Sequence, residues 1–105
     1  MSIEYEGGFI VRPTGQAVSH LLSKIADLPG LTTAAGQTTS QGSVGLWFTE
    51  YDGQNECQED VFVQLSRATC YVAFNSGPLS MCRETISALE ALLAQEGYPC
   101  PLREL

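Results

Sequence analysis

Apolar and polar residues alternate at the start of the chain: Ile3, Tyr5, Phe9 and Val11 share one parity, while Glu4 and Glu6 hold the other. A period of two predicts a strand with one buried face. Gly7-Gly8 interrupts it, which predicts a bulge or a close backbone approach. Pro13 stops the strand, and Thr14 is suited to cap a following helix. Apolar residues then fall at Val18, Leu21, Leu22, Ile25 and Leu28, the three–four spacing of an amphipathic helix, which Pro29-Gly30 ends. His20, Ser23, Lys24 and Asp27 lie mainly on its other face.

The Thr-rich run 31–39 favours a strand, at an edge or polar-faced. "SQGS" reads as a turn into "VGLWFTEY" (44–51), which carries the single tryptophan, Trp47. Two further strands follow. In 60–66, Val61, Val63 and Leu65 share a parity; in 69–75, Cys70, Val72 and Phe74 do. Their join at Arg67-Ala68 reads as a hairpin, and one long bent strand fits nearly as well. After "NSGPLS", Leu79, Cys82, Ile86, Leu89 and Leu93 recur at spacings of 3, 4, 3 and 4. They predict a core-facing helix stopped by Gly97, with Pro99 and Pro101 beyond it. The tail "YPCPLREL" reads as an extended segment held by Tyr98 and Leu102.

The order is therefore strand, helix, four strands, helix. It predicts a single α+β domain over residues 1–105: an antiparallel sheet of about five strands with both helices on one face, the other face partly open. Strand order does not follow from the pattern.

Charge sharpens this picture. Twelve Asp and Glu against five Lys and Arg give a formal net charge of −7. That balance disfavours nucleic acid and anionic membranes as partners and favours a basic protein. No stretch is long and apolar enough to span a membrane, and "MSIEYEGGFIV" lacks the character of a secretory leader, so a cytoplasmic protein is expected. Cys57, Cys70, Cys82 and Cys100 contain no C-x-x-C pair, and His20 is the only histidine, so no zinc site or other cofactor is implied. Whether any cysteines pair stays open.

Signs of catalysis are missing too. No G-x-S-x-G elbow, Walker loop, dinucleotide fingerprint or HExxH occurs, and a non-enzyme is expected. The one concentration of candidate chemistry is "EYDGQNECQED" (50–60), five carboxylates in eleven positions without a Lys or Arg. As a calcium loop beginning at Asp52 it fails, because the sixth and twelfth positions are Cys57 and Val63 where Gly and Glu are needed. Paired carboxylates for acid–base work would need a cleft that so small a chain has little room to form. Two readings remain: a solvated hairpin loop, or a docking surface made of Trp47, Glu50, Tyr51, Asp52, Glu56, Glu59 and Asp60. Trp47 is either part of that surface or a core tryptophan.

In size, charge and α+β pattern, with the helix "PLSMCRETISALEALLAQEG" and the acidic aromatic stretch "GLWFTEYDGQNECQED", the chain resembles bacterial immunity proteins of the contact-dependent growth inhibition type. That resemblance implies tight binding to a toxin domain, often a basic nuclease, with masking of its active site or substrate groove. The alternative is a non-catalytic small-ligand-binding or regulatory module that uses the open sheet face.

Overall fold

A computed structural model of the chain describes residues 3–33, 42–51 and 58–105. The elements run β1 (Ile3–Gly8), α1 (Gly15–Ala26), β2 (Leu31–Thr32), β3 (Ser43–Phe48), β4 (Val61–Leu65), β5 (Thr69–Phe74), α2 (Leu79–Gln95) and β6 (Arg103–Glu104). The six strands form one antiparallel sheet in the order β2-β3-β4-β5-β1-β6. Strands β2 to β5 are thus a meander, with β1 added beside β5 and β6 outside it. Because neighbours are antiparallel throughout, β1 and β2 run parallel to each other, as do β5 and β6. Each helix is a crossover between two such strands, as parallel strands require.

Period-two alternation decides which face each side chain takes. Val44, Leu46 and Phe48 of β3, Val61, Val63 and Leu65 of β4, and Cys70, Val72 and Phe74 of β5 are all buried. They meet Val18, Leu21, Leu22 and Ile25 of α1 and Cys82, Ile86, Leu89 and Leu93 of α2 in one continuous core. Tyr5 joins from β1, its ring edge-on to Phe74 with centroids 5.9 Å apart. Both helices therefore lie against the same sheet face. Roughly 1.5–3 kcal/mol accompanies full burial of each large aliphatic side chain, so this layer contact is the main favourable term.

Local signals act where the pattern places them. Thr14 caps α1, its side-chain oxygen accepting from the Ala17 amide at 3.1 Å. Gly97 adopts a φ of 93° just after α2, the left-handed conformation that ends helices at glycine. Arg67-Ala68 is a tight hairpin: the Ser66 amide donates to the Thr69 carbonyl at 2.9 Å, and the Ser66 hydroxyl accepts from the amides of Ala68 and Thr69.

The Gly7-Gly8 expectation resolves to close approach and not a bulge. The β1–β5 register runs unbroken from Ile3↔Phe74 to Gly8↔Thr69. A Cβ on Gly7 would lie 2.1 Å from the Pro101 carbonyl oxygen and 3.2 Å from Cys100 Sγ. The tail approaches β1 at Gly7, where no side chain stands in its way.

Two boundaries differ from the expected ones. The strand expected over 31–39 is two residues long, paired as Leu31↔Phe48 and Thr32↔Trp47, and positions 34–39 lie outside the described residues. The tail, expected as an extended strap, ends in a sixth strand: Tyr5↔Glu104 and Glu6↔Arg103 pair it to β1, and the Leu105 amide donates to the Glu4 carbonyl at 2.8 Å. Tyr98 and Leu102 pack against the core edge as expected.

Candidate functional site

The connection from β3 to β4 ends on a buried carboxylate, Asp60. The β3–β4 ladder ends at Leu46↔Val61. Two residues beyond, the Phe48 amide donates to Asp60 Oδ2 at 2.9 Å. The Ser76 hydroxyl donates to Asp60 Oδ1, the Asn75 amide donates to the Asp60 carbonyl at 2.8 Å, and the Asn75 side-chain amide donates to the Glu59 carbonyl at 3.0 Å. Asp60 therefore joins the end of β3, the start of β4 and the β5–α2 connection. With only 3% of its surface exposed, it is a structural group and not a member of a solvent-facing acidic cluster. The expectation of Asp60 as a surface carboxylate is corrected on that ground: it sits where an amide and a hydroxyl need an acceptor out of water.

The other expected site residues fall in different places. Glu50 is exposed, two residues past the end of β3. Tyr51 is half-buried, its ring edge-on to Phe48 with centroids 6.4 Å apart. Glu59 is half-buried beside Asp60. Asp52 and Glu56 lie outside the described residues, as does Cys57.

Trp47 takes the sheet face turned away from both helices. Its parity is that of Ser43 and Gly45, opposite to the buried Val44, Leu46 and Phe48. Register continues that face across the sheet. Gly45 pairs with Phe62, Phe62 with Ala73 and Ala73 with Glu4; in the next row Gln64 pairs with Tyr71 and Tyr71 with Glu6. Trp47 stands diagonal to Phe62, and the Phe62 and Tyr71 rings are 6.5 Å apart. Trp47, Phe62 and Tyr71 are each half-buried. The Tyr71 hydroxyl donates to Glu4 Oε1, and that bond, ahead of burial and the charges of Glu4 and Glu6, pushes the phenol pKa up. An aromatic row bordered by carboxylates thus occupies the helix-free face. Sequence reasoning named Trp47 but missed Tyr71 and Glu4 as sharers of its face. The signal was present in the alternation, which already set Trp47 off the Leu46 face.

A second feature lies at the same end of the sheet. The α1–β2 turn, the end of β3 and the first half of α2 enclose a groove of about 230 Å3, open to solvent. Leu28, Leu31, Phe48 and Met81 give it an apolar lining, with Glu50 and Glu84 beside them. Typical small-molecule pockets run about 300–1,000 Å3, so the groove is small for one. A larger hollow of about 630 Å3 beside β1 and β6 is a surface trough between Ile10, Arg103 and Leu105.

The nucleophiles and the imidazole are kept apart. His20, on the exposed face of α1, contacts Glu96 Oε1 at 3.0 Å, while Cys70, Cys82 and Cys100 are buried free thiols. The hydrogen bond to Cys100, with burial, pushes the Cys70 thiol pKa up, and burial does the same to Cys82. Both thiols are thereby held in the protonated, unreactive form. Among the described residues no three His, Cys, Asp or Glu side chains gather as a metal site, and no helix is long and apolar enough to cross a membrane.

No family model, curated protein or solved structure matches this chain.

Proposed function

We propose that the protein is a bacterial immunity-type inhibitor that acts in the cytoplasm by binding a toxin domain with a basic surface. It binds through the region around residues 47–59 and performs no chemistry of its own. The observation that carries the reading is the position of Trp47. It is half-buried on the helix-free face, diagonal to Phe62, whose ring in turn faces Tyr71, in a chain of net charge −7. Tryptophan and tyrosine are enriched among binding hot spots, and carboxylates around them steer a basic partner and discriminate against acidic ones. A nuclease must present cationic side chains to hold phosphate, so an acidic face with aromatic anchors is complementary to its substrate groove. Glu50 and Glu59, with Asp52 and Glu56 of the same loop, supply the charge. Asp60 ties the end of β3 to the start of β4 and to the β5–α2 connection.

The test is capture from the native cell with the wild-type chain as bait, followed by mass spectrometry and a growth-protection assay against the captured protein. A basic toxin domain should be recovered, and the E50K/E59K and W47A variants should lose both capture and protection. Recovery of no toxin, or unchanged protection by the W47A variant, removes this reading. Charge reversal at Asp60 is unsuitable, because it would disrupt the fold.

A further inference from the structure

We propose that the groove between α2 and the β2–β3 edge receives one lysine or arginine side chain of a protein partner; this rests on the docking role proposed above. The chemistry of the lining selects the occupant. Leu28, Leu31, Phe48 and Met81 offer an apolar bed, and Glu50 and Glu84 add two carboxylates from separate elements. Neither carboxylate has a hydrogen-bond or ion-pair partner among the described residues. Side-chain donors are not on offer: the Thr85 hydroxyl, also in the lining, is spent on the Met81 carbonyl at 2.8 Å. The groove therefore presents acceptors and apolar surface together, with no free donor among its side chains.

Few ligands satisfy both halves. An apolar side chain would strip water from two carboxylates without compensation. An acidic one would be repelled, and a bare cation would gain nothing from the apolar bed. Lysine and arginine combine an aliphatic stem with a charged, donor-only tip. The stem lies along Leu31, Phe48 and Met81, and the tip reaches Glu50 and Glu84. A volume of about 230 Å3 suits one long side chain. On this view Glu84, in a helix whose periodicity speaks only of the core, belongs to the same docking surface as Glu50.

The experiment needs no knowledge of the partner. The 15N-labelled chain is titrated with N-acetyl-arginine N-methylamide, with its lysine counterpart, and with the norleucine analogue that keeps the stem and lacks the charge. Saturable shifts in the millimolar range should appear for at least one cationic probe, confined to amides around Gly30, Leu31, Phe48 and Glu84. The norleucine probe should bind about tenfold more weakly or worse. The E50Q/E84Q variant should lose saturation, while an E96Q variant, altered just past the other end of α2, should keep it. Linear shifts spread over all acidic segments, or saturation surviving in E50Q/E84Q, overturn the proposal. Its failure is separable from that of the immunity reading. A toxin captured by a chain that ignores both cationic probes removes only the groove; saturable probe binding without any captured toxin removes only the immunity role.

Discussion

The carboxylate of Asp60 accepts the backbone amide of Phe48 at 2.9 Å, closing the mouth of the β3–β4 loop from the inside. Replacing Asp60 by Ala leaves that amide and the Ser76 hydroxyl without their acceptor in a buried place. Each orphaned group costs about 1–3 kcal/mol, so a D60A variant should lose stability within or above that range. Urea unfolding followed by circular dichroism measures it. Glu59→Ala, one residue earlier, should change stability by no more than about 0.5 kcal/mol, because the bond from Asn75 goes to the Glu59 backbone and not to its side chain. Equal losses at 59 and 60 would contradict this division of roles.

Gly7 gives a sharper steric case. A methyl group there would stand 2.1 Å from the Pro101 carbonyl oxygen, so the tail must move or β1 must shift. Overpacking of this kind costs about 1–3 kcal/mol. The G7A variant should lose that much in urea, and protection of the Leu105 amide, which bonds to Glu4, should fall first in hydrogen exchange. Gly15→Ala is the contrasting variant. It meets nothing within 4 Å, and it should be neutral or stabilising by up to about 1 kcal/mol.

Alkaline pH should weaken the fold through groups that hold their protons more tightly when folded, Cys82 and Tyr71 among them. Burial pushes the Cys82 thiol up, and the hydrogen bond to Glu4, then burial, push the Tyr71 phenol up. A group with a raised folded pKa contributes its stability in full below its unfolded pKa and loses it as pH rises through the folded value. Stability owed to these groups is therefore constant near neutrality. It declines above about 8.5, where unfolded thiols ionise, and further above about 10, where unfolded tyrosines do. Urea midpoints measured across that span should show the decline, with a shallower slope in C82A and in Y71F. An unchanged slope in both variants would refute the assignment.

Much of this architecture was legible because periodicity reports burial directly. The three–four spacing of Val18, Leu21, Leu22 and Ile25, and of Cys82, Ile86, Leu89 and Leu93, located both helices, and Thr14 marked where the first begins. Strand β6 was not legible, since its two residues, Arg103 and Glu104, are joined to β1 mainly by backbone pairing and are too few to show an alternation. The role of Asp60 was hidden for a related reason. Inside an acidic run it looks like one more solvated carboxylate, and only the approach of Phe48 and Ser76, twelve positions earlier and sixteen later, makes it structural. The groove was hidden because Glu50 and Glu84 belong to segments that meet only in the folded chain.

Trp47 and Leu46 are neighbours in sequence on opposite faces of β3, and their variants should separate stability from recognition. Leu46 is fully buried in the core, and Leu46→Ala should cost about 2–5 kcal/mol through lost contacts and the cavity left behind. Trp47, half-buried and diagonal to Phe62 on the helix-free face, should cost less when replaced by Ala, and the loss should appear in partner capture instead. Its fluorescence supplies an independent check in the free protein. A half-buried indole should be quenched by acrylamide in the native state, more so than a core tryptophan would be. Capture of a basic domain should then lower that quenching, since a hot-spot aromatic is shielded from water when the interface closes. A tryptophan already inaccessible to acrylamide in the free chain would place Trp47 in the core and take away the anchor of the proposed surface.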